Sequence, residues 1–249
     1  MKHRSTLLTV TIVAVAAVLA CVACSSSPSA YRPEPTVVTP NDLVDFKQLY
    51  GQNCAGCHGA DGKGGAAIAL ANPVLLAIAD DAVIRRIASN GVPGTPMPAF
   101  AQSAGGMLTE KQIDVIVSGI RSWAEPNAVG NSTPPPYTAP APGDPQHGGD
   151  AYRTYCSSCH GADGRGGIKA SSIVDGSYLA LVSDQQLRTV VIAGRPELGA
   201  PDWRGDVEGR PMSAQDISDV VAWLSSQRPK FPGQPYPTAA ASPAQGGIQ

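Results

Sequence analysis

The chain has 249 residues, 43% hydrophobic and 15% charged, enough for one or two domains with apolar cores. A formal net charge of −2 gives no cationic surface for a polyanion, so no nucleic-acid partner is expected. Aromatic residues make up only 5%, thin for two cores of this size, while 27 glycines and 23 prolines mark much turn and linker.

Taken in chain order, the first element is a targeting segment over 1–21. Lys2 and Arg4 are its positive region and Leu7 to Ala20 its apolar stretch. Val18-Leu19-Ala20-Cys21 resembles the lipobox of bacterial lipoproteins, which implies cleavage before Cys21 and a lipid on that cysteine. The alternative is an uncleaved transmembrane anchor, since the run approaches the ~18 residues that span a bilayer. Either reading puts the rest of the chain outside the cytoplasm, on the periplasmic face of a membrane. Residues 22–40 are rich in Ser and Pro, cannot build a core, and read as a tether.

Two repeats follow, over 41–126 and 147–229, joined by a Pro-rich linker at 127–146 and followed by a Pro-, Ala- and Gly-rich tail at 230–249 predicted to be disordered. The linker reads as a semi-rigid polyproline spacer. Cys54-Ala55-Gly56-Cys57-His58 recurs as Cys156-Ser157-Ser158-Cys159-His160, 102 positions on. The offset then becomes 103, matching Arg85, Gly91 and Pro98 to Arg188, Gly194 and Pro201, and 104 where Ile113 matches Ile217. Each repeat is predicted to hold three principal helices. The first enters the cysteine motif, the second covers about 80–90 or 183–194, and the last carries the stripe Ile113, Ile116, Val117, Ile120 or Ile217, Val220, Val221, Leu224. Thr109 with Gln112, and Ser213 with Asp216, are capping signals at its start.

Cys-x-x-Cys-His reads as covalent haem attachment. Two thiols three residues apart share one face of a helical turn and reach the two vinyl groups of one porphyrin, while the histidine faces the iron. The motif predicts two c-type haems per chain, held by Cys54 and Cys57 with His58, and by Cys156 and Cys159 with His160. A thioredoxin-like pair would need a βαβ setting, and a four-cysteine zinc site would need the distant pairs to meet. The glycine runs after each histidine read as turns rather than phosphate loops. His147, at the linker edge, reads as a surface residue. Lys63, Arg165 and Arg204 are candidates for pairing with haem propionates.

The duplicated motif, the later Met97-Pro98-Ala99-Phe100 and the closing amphipathic helix resemble class I c-type cytochromes in a tandem di-haem form. The resemblance implies an all-α fold of two cytochrome c-like domains, each wrapping one haem. It also implies that Met97 is the second axial ligand of the first iron. In that family the first and last helices cross where a small residue faces an aromatic one. Gly148 or Gly149 against Trp223 fits this in the second repeat, and Phe46 is predicted to pack over Gly119 in the first. The gapless offset of 103 places Met97 on Ala200, leaving the second repeat without a methionine there. Met212 is the other candidate. Its counterpart is Leu108, and both precede a capping residue, so its expected role is packing, with ligation of the second iron through a rearranged loop as the alternative. Met107 reads as packing.

No paired-carboxylate or Ser/His/Asp set calls for an enzyme. The expected function is one-electron transfer between redox protein partners by a membrane-anchored di-haem cytochrome. The alternatives are a cytochrome subunit of a larger membrane oxidoreductase, or a haem sensor or peroxidase using an open iron in the second repeat.

Overall fold

The computed structural model describes residues 38–205, 207 and 209–229, so the targeting segment with Cys21, most of the tether and the tail lie outside the described residues. The described residues from Thr39 onward form one compact unit. Among the described residues the structure is helical, with isolated β-bridges and no strand.

Each repeat contributes five α-helices in the same order. In the first they are α1 (Phe46–Asn53), α2 (Ala55–His58), α3 (Pro73–Ile78), α4 (Asp81–Asn90) and α5 (Glu110–Arg121). In the second they are α6 (Pro145–Tyr155), α7 (Ser157–His160), α8 (Gly176–Leu181), α9 (Asp184–Ala193) and α10 (Ala214–Ser226). Both predicted capping boxes form, Thr109 with Gln112 and Ser213 with Asp216, and the apolar stripes of α5 and α10 are buried.

The short α3 and α8 were not predicted. Six residues are too few to show a helical period, and each helix depends on its cap: Asn72 accepts from the N–H groups of Val74 and Leu75, and Asp175 from those of Ser177 and Tyr178.

The two helix crossings are built in opposite ways. A Cβ on Gly148 would collide with the Asp219 carbonyl, so the backbones of α6 and α10 touch there, and Trp223 lies over Gly149. In the first repeat a Cβ on Gly119 would fall inside the Phe46 ring, which occupies the crossing of α1 and α5 as expected. The bulk stands on the first helix in one repeat and on the last in the other.

The 127–146 segment, expected as a stiff spacer, lies along the second repeat. Arg188 is 2% exposed, and its guanidinium donates to the carbonyls of Pro136 (2.9 Å) and Tyr137 (3.1 Å) and to Ser218 Oγ (3.3 Å). Its counterpart Arg85 instead pairs with Asp114 and Glu110 on α5.

The repeats also bond to each other. Val74, Leu75 and Ala79 join the apolar cluster of the second repeat. Buried Asn72 donates from Nδ2 to the carbonyls of Ala193 (3.0 Å) and Gly194 (3.4 Å) at the end of α9. Arg195 donates to the Gly65 carbonyl at 3.1 Å.

Candidate haem-attachment sites

Each cysteine motif forms a break and a single helical turn. α1 ends at Asn53, Cys54 caps α2, and Cys57 and His58 follow on that turn, with Cys57 N–H bonded to the Cys54 carbonyl at 3.2 Å. Cys156, Cys159 and His160 repeat this on α7, again at 3.2 Å. The turn ends at Gly59 and Gly161, with φ of 83° and 79°, a conformation that favours glycine. A Cβ on Gly59 would collide with the Lys63 carbonyl, and one on Gly161 with that of Gly166, so the chain folds tightly back after each histidine.

Both histidines are held alike. His58 Nδ1 lies 2.8 Å from the Ile68 carbonyl and His160 Nδ1 2.8 Å from the Ser171 carbonyl. A carbonyl only accepts, so Nδ1 carries the proton and Nε2 keeps its lone pair for a metal. His58 is buried, and burial lowers its pKa despite the bond to Ile68, which favours the neutral imidazole. The Ile68 and Ser171 contacts also locate the first inserted residue, between the glycine run and this carbonyl.

Tyr50 donates to the Gly59 carbonyl at 3.0 Å, and Tyr152 to that of Gly161. Burial above all, then the nearby Cys54, pushes the Tyr50 phenol up to about 12. A tryptophan from the chain's end of each repeat covers the tyrosine. Trp123 meets Tyr50 edge-on at 5.1 Å and Trp223 stacks on Tyr152 at 4.3 Å. Burial first and the neighbouring thiol second push Cys54 and Cys156 up to about 11. Both stay protonated at neutral pH.

Among the described residues no three His, Cys, Asp or Glu side chains converge on a metal-sized site, so the pairs do not form a four-cysteine zinc centre. With no strand among those residues there is no βαβ setting for a thioredoxin-like pair. Two thiols on one turn beside an imidazole with a free Nε2 fit a covalently held haem, and the chain has this set twice. The chain matches, over 41–118 and 143–224, the family described as cytochrome c oxidase, cbb3-type, subunit III. The chain belongs to this family.

Both matched segments contain one cysteine motif each, so the family's cytochrome domain occurs twice here. Similar proteins include the cytochrome bc1 complex cytochrome c subunit of Mycobacterium tuberculosis (strain ATCC 25618 / H37Rv), 28% identical over 183 residues, covering 72% of this chain and 61% of that one. The subunit of the same name in Corynebacterium diphtheriae is 24% identical over 225 residues, covering 82% and 69%. The cbb3-type cytochrome c oxidase subunit CcoP of Azospirillum is 30% identical over 151 residues, covering 54% and 46%. The chain thus spans about three fifths of the length of the mycobacterial relatives. A chain of the Kuenenia stuttgartiensis reducing HAO-like protein complex superposes with a TM-score of 0.41 at 20% identity, covering 78% of this chain and 99% of that one.

The remaining candidate residues fall as follows. Met97 is half-buried in the loop after α4, where its N–H bonds Thr95 Oγ1 at 3.3 Å and its carbonyl accepts from Val92 at 3.0 Å. Met212 is 6% exposed, inside the apolar cluster of the second repeat. Met107, read from sequence as packing, is 79% exposed, because it sits on the turn outside the stripe of α5. His147 is exposed and lies 3.5 Å from Asp144. Arg165 and Arg204 pair with Asp163 and Asp202 of their own loops.

Sequence reasoning missed a guanidinium clamp common to both repeats. Arg121 bonds Asp81 and the carbonyls of Leu76 and Ala79, and Arg228 bonds Asp184 and the carbonyls of Leu179 and Val182. The acceptors match at an offset of 103 but the arginines are 107 apart, so alignment does not pair them.

Proposed function

We propose that this chain is a di-haem c-type cytochrome that passes single electrons between redox protein partners, as the cytochrome subunit of a membrane oxidoreductase complex. The observation that carries the reading is the doubled turn, with two cysteines and a histidine whose Nδ1 is locked to a carbonyl. Cys54 and Cys57, and Cys156 and Cys159, would hold the haems as thioethers, with His58 and His160 as axial ligands through Nε2. When bound, haem supplies an iron that cycles between ferrous and ferric states. Met97 would supply a thioether opposite His58, a soft ligand that raises the reduction potential. The chain's own part is to hold the imidazoles oriented through their Nδ1 bonds and to pack apolar bulk around the sites. Anchoring follows the Cys21 reading: a lipid on that cysteine would keep both domains on the periplasmic face of the membrane. The subunit role is supported by the relatives, which carry the names of complex subunits.

The test is a haem count on the full chain purified from membranes. The intact mass should exceed the mature polypeptide by two haems, haem stain should survive a denaturing gel, and Cys54→Ala with Cys57→Ala should remove one haem. Partner subunits should copurify under mild solubilisation. Iron-free protein containing zinc would overturn the reading, and an isolated chain that carries electrons without partners would overturn the subunit role.

A further inference from the structure

The loops after α4 and α9 close in the same way on their backbones, and they differ in the residue whose carbonyl makes the closing bond. Gly91 and Gly194 have φ of 65° and 67°, and a Cβ on either would lie 2.5–2.7 Å from main-chain atoms of 97–99 or 201–202. The chain then doubles back so that Val92 N–H bonds the Met97 carbonyl and Arg195 N–H bonds the Ala200 carbonyl, each at 3.0 Å. These contacts equate Met97 with Ala200 by geometry, independently of any alignment. A thioether stands at this place in the first repeat and a methyl group in the second.

Met212 does not replace it. Its N–H bonds the Trp203 carbonyl at 2.8 Å, as Leu108 N–H bonds the Phe100 carbonyl at 2.7 Å, and both side chains are 6% exposed. It lies in the cluster that holds Ile192, Trp203, Ile217 and Val220. Met212 is therefore the structural counterpart of Leu108, a packing residue under the last helix. The second repeat's other nitrogen donors lie elsewhere. His147 is exposed on the first turn of α6, beside Asp144. Lys169 is exposed and two residues from Ser171, whose carbonyl holds His160, which puts it on the histidine side.

We propose that the second repeat gives its iron one protein ligand, His160, and leaves the opposite position to small exogenous ligands. The class is a neutral π-acceptor such as carbon monoxide on the ferrous iron, and a small anion such as cyanide on the ferric iron. Binding would be lone-pair donation to the iron, displacing water where water occupies the position; there is no net electron transfer and no bond within the ligand breaks. The proposal rests on the two-haem reading above. It also makes the sites unequal, because a histidine-only iron lacks the soft ligand that raises the potential of a His/Met pair.

The experiment uses the full holoprotein, with Ala200→Met and Met212→Leu. Intact mass is read first, so that failed haem attachment is seen separately. In dithionite-reduced wild type, carbon monoxide should shift the spectrum of one haem of the two. Ferric protein should bind cyanide at the same haem, and that haem should titrate at the lower potential. Ala200→Met should abolish carbon monoxide binding and raise the potential of that haem. Met212→Leu should bind as wild type does, which keeps the test decisive should Ala200→Met misfold. Two attached haems that both resist carbon monoxide and cyanide would overturn the proposal, as would binding that appears only in Met212→Leu. Fewer than two haems would overturn the underlying reading and the proposal with it.

Discussion

The crossing of α1 and α5 makes a prediction with a sign. Gly119 lies on α5, where replacing glycine by alanine ordinarily stabilises a helix by up to about 1 kcal/mol. Here the added Cβ would fall inside the Phe46 ring, overlapping Cγ, Cδ2 and Cε2. The ring has little freedom to move away, because it sits 5.6 Å from Tyr50 and 5.3 Å from Trp123 in a three-ring cluster. Overpacking of this kind costs about 1–3 kcal/mol, which outweighs or cancels the helix gain. Gly119→Ala should therefore lower stability by roughly 0–3 kcal/mol in the wild type, and raise it by up to about 1 kcal/mol once Phe46→Ala has cleared the space. The coupling between the two substitutions is then the overpacking cost itself, about 1–3 kcal/mol. At about 2–4 °C per kcal/mol for a unit of this size, thermal unfolding of the holoprotein resolves it. If Gly119→Ala stabilises equally in both backgrounds, Phe46 does not occupy the crossing and the reasoning is refuted.

Two further changes probe the boundaries of the structure. Asn72→Asp should keep the cap of α3, since Asp175 caps α8 in the same way, but it cannot donate to the carbonyls of Ala193 and Gly194. The loss should cost about 1–3 kcal/mol in denaturant unfolding, and a value within about 0.5 kcal/mol of wild type would show that the contact between repeats carries no stability. Cys21→Ala should release the haem domains from the membrane fraction or block maturation; a variant that matures and stays with the membrane as wild type does would refute the lipid site at Cys21.

What the sequence determined about this protein is what a few neighbouring residues decide among themselves. The cysteine–histidine turn, the caps at Thr109 and Ser213 and the stripes of α5 and α10 arise from contacts three or four residues apart, so their spacing is legible directly. Duplication extended that reach. Comparing the repeats exposed the exchange of bulk between Phe46 and Trp223 and the absence of a methionine at Ala200, because each repeat is a template for the other. The tertiary structure alone decided the partners of long or lone side chains. Trp123 reaches Tyr50 and the site above Gly62 from just past the end of α5, four residues beyond the place that matches Trp223, which serves Tyr152 and Gly164 from inside α10. A flexible guanidinium likewise lets Arg228 meet the acceptors equivalent to those of Arg121 from another register. Arg188 spends its charge on the carbonyls of a linker that composition portrayed as a free strut. Asn72 is chosen over the aspartate of the sister repeat because its amide must donate across to α9 while its oxygen caps α3. Those bonds join groups more than fifty residues apart, or depend on which of several reachable positions a long side chain takes, and no local pattern in the chain encodes either.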